Sequence, residues 1–235
     1  MMATITLPTT KCVAETGWPE QSTTLLYGPS KVGKTSFLSG MPEVLILNTE
    51  PRGTRYIEGA YVVDITSREE LLDVYKKLKA GYDSAKKPPY RTIAIDTIDA
   101  PVDWICKQVM KELGVDMMGQ TKNGYDWITA RERTLSVVRM FANLPVNLVI
   151  TAHSKPVELE GGKLGATLNL FNSLSYALQA EVENIMLCVP GNPRKLMFSS
   201  QAGTDMGSHH PVLNKVGSCD LNYNALRALI KDKGD

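Results

Sequence analysis

The chain has 235 residues, and its 26 basic and 25 acidic side chains leave a formal net charge of +1. Hydrophobic residues make up 43% and charged residues 22%, an ordinary globular mixture that excludes a disordered tail, a collagen and a coiled coil. The balanced charge also excludes a uniformly basic nucleic-acid coat, although it leaves room for a local basic stripe. The 4 cysteines form no CxxC pair, so we expect neither a zinc site nor a dense disulfide framework.

The sequence shows no targeting signal. Residues 1–20 lack the basic start, apolar run and small-residue cleavage site of a signal peptide. No stretch approaches the run of about 18 uncharged apolar residues that a membrane-spanning helix needs. We therefore expect a cytoplasmic protein with reduced thiols and no membrane partner.

Apolar runs of strand length alternate with amphipathic helical patterns along most of the chain. In chain order the sequence predicts a strand at 23–27, a helix from about 34, strands at 44–48 and 60–65, a helix from 67 to about 81, a strand at 91–96, helices at 101–113 and 125–144, and a strand at 146–151. Beyond these it predicts a mobile loop at 154–167, a helix at 168–180, a hairpin of strands 184–189 and 194–199, an irregular stretch at 201–217 and a final helix at 223–231.

Local signals mark the ends and faces of several helices. Ser67 and Glu70 form a capping box, in which each side chain is expected to bond the backbone amide of the other residue. Pro101 suits the first position of a helix. The spacing within 125–144 places Ile128 on the inward face of that helix.

Near-continuous apolar strands joined by helices predict a mostly parallel sheet that is covered on both faces. The predicted fold class is therefore α/β, a three-layer core with an antiparallel hairpin at one edge of the sheet. We expect an irregular lead-in at 1–22, the core at 23–200, and a C-terminal loop and helix packed on the core at 201–235.

Residues 28–35 match the pattern G-x-x-x-x-G-K-[ST] and lie between a predicted strand and a predicted helix. The glycines allow the backbone to curl so that successive N–H groups point at phosphate oxygens. The motif predicts that Lys34 contacts the β- and γ-phosphates of ATP and that the Thr35 hydroxyl ligates Mg²⁺. The predicted nucleotide-binding residues are Gly28, Pro29, Ser30, Lys31, Val32, Gly33, Lys34, Thr35 and Ser36.

Three further polar side chains follow strands whose carboxyl ends should meet at the ligand edge of the sheet. Asp96 is predicted to hold Mg²⁺ opposite Thr35, the alternative being a cap for the next helix. Glu50 is predicted to be the general base that activates water, and otherwise a solvated turn residue. His153 is predicted to contact the γ-phosphate or the water, and otherwise to be structural. The predicted catalytic residues are thus Lys34, Glu50 and His153.

In this order, the motifs resemble the RecA-type core of P-loop ATPases. The matching segments are Gly28–Thr35, Asn48–Glu50, Ile93–Thr97 and Val149–His153. In particular, the chain resembles phage-encoded proteins that consist of a RecA core alone, some of which, the "Sak-four" type, act in single-strand annealing. The resemblance covers about residues 20–200. It implies a catalytic glutamate at Glu50, a Walker-B acid at Asp96 and, for a phage-encoded protein, a place in the host cytoplasm.

The same resemblance implies that the loops at 114–124 and 154–167 face single-stranded DNA. Basic and aromatic side chains in or near these loops are candidates for phosphate contacts and base stacking, although each is also compatible with a solvated or core position. They are Lys122, Lys155 and Lys163 for phosphates, and Tyr125, Trp127 and Phe171 for bases.

The resemblance also implies self-association into a ring or filament. RecA-type assemblies send a basic residue from the region of the edge hairpin into the ATP site of a neighbouring subunit. Arg194 and Lys195 are the candidates for such a finger acting in trans. The alternative is an ordinary polar start of a strand.

We therefore expect a Mg²⁺-dependent ATPase that acts on single-stranded DNA in phage-type recombination, annealing or replication. A single-strand-binding protein is a further candidate partner. Two alternatives stay open: a P-loop kinase for a small molecule or nucleotide, and a non-enzymatic adaptor gated by nucleotide. The segment 154–167 contains lysines but no arginine, which argues against the arginine-bearing lid of a kinase.

Overall fold

The computed structural model describes residues 21–84, 87–158, 164–199 and 203–231, and it contains strands and helices throughout these ranges. The strands are β1 (Thr23–Gly28), β2 (Val44–Asn48), β3 (Tyr61–Asp64), β4 (Thr92–Asp96), β5 (Asn147–Glu158), β6 (Leu164–Leu168), β7 (Asn184–Val189), β8 (Lys195–Met197), β9 (Gly207–Ser208) and β10 (Ser218–Asp220). The helices are α1 (Lys34–Ser39), α2 (Arg68–Tyr82), α3 (Asp99–Leu113), α4 (Tyr125–Ala142), α5 (Asn172–Ala180), α6 (Pro211–Val216) and α7 (Tyr223–Lys231), with a 3₁₀ turn at Lys122–Gly124.

The sheet has the strand order β10-β8-β7-β1-β5-β4-β2-β3. The six strands from β7 to β3 in this order are parallel. Antiparallel strands extend the sheet beyond β7, where β8 and β9 pair with β7 and β10 pairs with β8. Because β5 lies between β1 and β4, the carboxyl ends of β1 and β4 lie beside residues 150–153 in the middle of β5.

The two faces of the sheet are covered by different helices, because successive side chains of a strand point to opposite faces. On one face Leu25 and Tyr27 of β1 pack in a cluster with residues of α2, α3, α4 and α5. On the other face Leu26 packs in a second cluster with residues of α1, α6 and α7. The predicted three-layer α/β class with an antiparallel edge is therefore confirmed.

The described parts of the segment at 154–167, residues 154–158 and 164–167, form strands and not the predicted loop. β5 continues to Glu158 and pairs antiparallel with β6, with Ser154 opposite Leu168 and Val157 opposite Gly165. The two strands form a hairpin, and α5 accordingly begins at Asn172 instead of Leu168. Gly165, one of the glycines that suggested mobility, fits its strand, since a Cβ there would collide with the carbonyl oxygen of Gly203, whereas residues 161 and 162 lie outside the described residues.

Three smaller predictions were also wrong. The stretch 201–217 contains β9 and α6 within its described part, where Pro211 provides a helix start. Pro101 is the third residue of α3, not the first. Ile128 is 45% exposed, since the buried face of the first half of α4 is formed by Asp126, Ala130 and Thr134. By contrast, the capping box is confirmed, because the Ser67 hydroxyl accepts from the Glu70 amide and the Glu70 carboxylate accepts from the Ser67 amide as well as from Thr66.

Candidate active site at the carboxyl edge of the sheet

The turn between β1 and α1, the phosphate turn at residues 28–35, depends on two glycines. A Cβ on Gly28 would lie 2.7 Å from the carbonyl oxygen of Cys188, so only glycine allows β1 to end this close to β7. Gly33 has φ 111°, a left-handed conformation that other residues rarely adopt, and it directly precedes α1. Burial raises the pKa of the Cys188 thiol to about 12, so this group remains neutral beside the turn.

The Lys34 ammonium group lies inside this turn, and the residue is only 6% exposed. Its Nζ donates to the carbonyl oxygens of Gly28 and Pro29, both at 3.1 Å. Burial lowers the pKa of Lys34, whereas the nearby carboxylates of Asp96, Glu50 and Asp99 act in the opposite direction. The turn therefore holds a largely desolvated cation where the motif predicts the β- and γ-phosphates.

Thr35 and Asp96 come together from α1 and β4. The Thr35 hydroxyl donates to Asp96 Oδ2 at 2.7 Å, and the Thr151 hydroxyl of β5 donates to the other carboxylate oxygen. Asp96 is buried, so its charge is oriented by these two hydroxyls instead of water. A hydroxyl beside a carboxylate is an oxygen donor set of the kind that Mg²⁺ takes, so these residues fit the ion implied by the motif.

The ends of β2 and β4 are linked by the hydroxyl of Thr49. This hydroxyl donates to the carbonyl oxygen of Thr97 at 2.6 Å and accepts from the Thr97 amide at 2.9 Å. The Thr49 amide also donates to the carbonyl oxygen of Asp96 at 2.9 Å. These bonds fix the position of Glu50, which follows Thr49, relative to Asp96. The peptide bond between Asp96 and Thr97 is cis.

Glu50 and His153 face each other across this edge. Glu50 Oε1 lies 3.4 Å from His153 Nε2 and accepts a hydrogen bond of 3.2 Å from the Thr97 hydroxyl. The side chains are 41% and 24% exposed, respectively, so both have access to a ligand in the cleft. On its other side, His153 contacts Asp99: its backbone amide donates to Asp99 Oδ2 at 3.2 Å, and its Nδ1 lies 3.5 Å from the same oxygen.

The sequence reasoning identified the charged residues of this site but missed several residues that orient them. The sequence did offer a signal for them, because each lies within three positions of a predicted acid or of His153. Hydroxyl and carboxylate side chains at such positions can form hydrogen bonds with the neighbouring strand ends. The missed residues are Thr49, Thr97, Asp99 and Thr151.

The two basic residues of the edge hairpin lie in different surroundings. Nη1 of Arg194 lies 3.0 Å from the position that a Cβ on Gly33 would occupy, so Arg194 contacts the phosphate turn of its own chain. Lys195 points elsewhere, and its Nζ forms an ion pair of 2.7 Å with Asp220 Oδ1. Both residues are exposed.

The predicted DNA-contacting lysines are not equally available. Lys122 is exposed on the 3₁₀ turn. Lys155 is half-buried, and its Nζ donates to the carbonyl oxygen of Leu170 at 3.4 Å. Lys163 lies outside the described residues.

Met118 of the loop at 114–124 and Phe171 of the segment that follows β6 pack against the same buried cluster. The ring of Trp127 packs on that of Phe171 with centroids 4.7 Å apart, so these two aromatics partner each other, whereas Tyr125 is 57% exposed. Asp126 anchors the loop, because its carboxylate accepts from the Gly119 amide and from the Thr121 hydroxyl. Two segments far apart in sequence therefore form one surface.

No helix in the described ranges is both long and apolar enough to cross a membrane.

Together, the phosphate turn and the strand order define a P-loop nucleotide-binding protein with the RecA-like fold. The order is informative because β5 separates β1 from the strand that carries Asp96. The chain belongs to the AAA domain family, which matches residues 20–179.

Two solved structures are similar to this chain at 16% sequence identity. One is the RadB recombinase, with a TM-score of 0.42, and the similarity covers 76% of this chain and 80% of that one. The other is a KaiC-like protein from the archaeon Pyrococcus horikoshii, with a TM-score of 0.46, covering 77% of this chain and 79% of that one. No curated protein matches this chain.

Proposed function

We propose that the protein is a Mg²⁺-dependent ATPase that acts on single-stranded DNA. The observation that carries the catalytic part is the convergence of four groups at one edge of the sheet. These groups are the ammonium of Lys34, the Thr35–Asp96 pair, the carboxylate of Glu50 and the imidazole of His153. Such a combination serves phosphate binding, metal binding and activation of water in P-loop enzymes.

Binding of the triphosphate is assigned to the turn at 28–35 and to Lys34. The buried ammonium group now bonds two carbonyl oxygens, and phosphate oxygens would replace them as stronger, charged acceptors. Thr35 and Asp96 would hold Mg²⁺, which, when bound, neutralises negative charge on the phosphates. Because Lys34 is already positioned and desolvated, little reorganisation is needed at the moment of reaction.

Activation of water is assigned to Glu50. Its carboxylate is held from one side by the Thr97 hydroxyl and remains partly exposed, so it can accept a proton from a water molecule in the cleft. His153 lies within 3.4 Å of the same carboxylate oxygen and is proposed to respond to the γ-phosphate. A base beside the phosphate turn supports hydrolysis over transfer to a second substrate.

Action on single-stranded DNA is the finer part of the proposal. It is supported by the resemblance to phage-encoded RecA-core proteins and by the surface formed by the loop at 114–124 and the segment after β6. Lys122 and Tyr125 are exposed there and would contact phosphates and bases, with further contributions proposed for Lys155 and Lys163. We also propose that the protein takes part in recombination or annealing in the host cytoplasm. There it would assemble into a ring or filament and work with a single-strand-binding protein.

The test is the rate of ATP hydrolysis with and without single-stranded DNA over a series of salt concentrations. We expect DNA to raise the rate, and we expect this stimulation to fall steeply with salt because phosphate contacts release counterions. Lys34→Ala should abolish both ATP binding and hydrolysis and serves as the control for contaminating activity. A slow rate unaffected by any nucleic acid would favour a nucleotide-gated adaptor, and phosphoryl transfer to a nucleoside monophosphate would favour a kinase.

A further inference from the structure

Asp99 stands next to the proposed catalytic residues without a role in nucleotide binding. It is the first residue of α3, three positions after Asp96, and its carboxylate contacts His153 in the middle of β5. Asp99 Oδ2 accepts a hydrogen bond of 3.2 Å from the His153 amide and lies 3.5 Å from His153 Nδ1. One carboxylate oxygen therefore contacts both the backbone and the ring of the same histidine.

The imidazole of His153 lies between two carboxylates. Nδ1 faces Asp99 at 3.5 Å, and Nε2 faces Glu50 at 3.4 Å. A neutral imidazole carries one proton, and the nitrogen that bears it is set by the acceptor that the other groups provide. Asp99 is less exposed than Glu50, with side chains 24% and 41% exposed, and it also holds the backbone of His153. Asp99 Oδ2 is therefore held beside the ring through the backbone of His153, whereas Glu50 Oε1 already accepts from the Thr97 hydroxyl.

We propose that Asp99 is a positioning residue that keeps the proton of neutral His153 on Nδ1 and directs Nε2 at Glu50. An acid that fixes the tautomer of a histidine in this way is a familiar device in catalytic sites. In the free protein, the Nε2 lone pair then lies beside Glu50 and can accept a hydrogen bond from water in the cleft; when the ring is protonated, Nε2 can donate to Glu50 or to phosphate. The catalytic consequence depends on the proposed ATPase function, but the tautomer itself does not.

The alternative is that Asp99 only stabilises the start of α3, since an acidic side chain in the first turn of a helix is favourable. Asp103 provides a matched control for this role. It lies one turn further along the same helix, and its carboxylate pairs with Lys107 at 2.6 Å on the exposed surface. A change at Asp103 alters the charge of α3 without touching His153.

The decisive measurement is ¹⁵N NMR of the histidine rings in the full-length protein without nucleotide. The chain has 3 histidines, so His153→Gln identifies the resonances of His153 by their loss. At a pH where the ring is neutral, we expect Nδ1 to be protonated in the unmodified protein. A neutral ring protonated on Nε2 would overturn the proposal without any variant of Asp99.

Asp99→Asn supplies the second arm of the experiment. The amide oxygen can still accept from the His153 backbone, but this side chain carries no charge, so the Glu50 carboxylate becomes the more strongly charged of the two acceptors beside the ring and favours the proton on Nε2. We expect the proton to move to Nε2 in Asp99→Asn and to stay on Nδ1 in Asp103→Asn. Spectra of Asp99→Asn that match those of Asp103→Asn would reduce Asp99 to a helix-start residue.

Kinetics of the same two variants separate this inference from the proposed function. In Asp99→Asn we expect kcat to fall about tenfold or more with little change in KM, the size of effect seen for partners of functional histidines elsewhere. Asp103→Asn should retain both constants. If the unmodified protein hydrolyses no ATP, the proposed function fails, while the NMR result still decides the role of Asp99.

Discussion

Replacing Glu50 by glutamine removes the negative charge of the proposed base and almost nothing else. The amide oxygen of glutamine can still accept the 3.2 Å hydrogen bond from the Thr97 hydroxyl. The links of Thr49 to Thr97, which position this residue, involve neither side-chain oxygen of Glu50. We therefore expect Glu50→Gln to fold as the unmodified protein does, with an unchanged melting temperature.

The expected effect is on turnover and not on binding. An amide cannot take a proton from water, and loss of a general base typically costs about 10²–10⁴ in rate. At about 1.4 kcal/mol per factor of ten, this corresponds to about 3–5 kcal/mol in the activation barrier. ATP binding should be retained or strengthened, because one of the carboxylates that act on Lys34 loses its charge and repels the phosphates less.

Two assays check this expectation: single-turnover hydrolysis of ATP, and equilibrium binding of a fluorescent ATP analogue. Glu58→Gln is the matched control, because Glu58 is an exposed glutamate in the same β2–β3 connection. Turnover by Glu50→Gln at the rate of Glu58→Gln would show that another group activates the water. Loss of analogue binding in Glu50→Gln would instead show that the carboxylate is needed to build the site.

Two further predictions concern the edge hairpin and the anchor of the loop at 114–124. Because Arg194 lies beside Gly33 of its own chain, we expect Arg194→Ala to slow ATP hydrolysis. A mixture of Arg194→Ala and Lys34→Ala subunits should stay slow, because no subunit then carries both residues. Recovery of the rate on mixing would instead show that the arginine acts in the ATP site of a neighbouring subunit. Burial raises the pKa of Asp126, but hydrogen bonds from the Thr121 hydroxyl and backbone amides outweigh it and lower the pKa overall. The pKa of Asp126 in the folded protein thus lies below its unfolded value of about 4. The hydrogen bonds to the ionised carboxylate therefore add to the free energy of unfolding above about pH 4, and this stabilisation is lost as the pH falls further. Asp126→Ala should cost roughly 1–3 kcal/mol at pH 7 in urea unfolding, and a flat difference between the two proteins from pH 7 to pH 3 would refute the assigned role.

The phosphate turn could be predicted completely from the sequence because it is a local structure. Its eight residues are contiguous, and its geometry follows from where glycine, lysine and threonine stand between a strand and a helix. Asp96, Glu50 and His153 could also be assigned to one edge, because parallel strands place their carboxyl ends together. Such inferences need only the direction of each strand, not its neighbours.

The contacts within the site were decided by the order of the strands in the tertiary structure. β5 lies between β1 and β4, and this order, together with the start of α3, brings His153 against Glu50 and Asp99. The contact of Arg194 with Gly33 likewise depends on β7 lying beside β1. Hydrogen bonds between strands that are distant in the chain set these neighbours, and no local pattern of residues encodes which strands will pair.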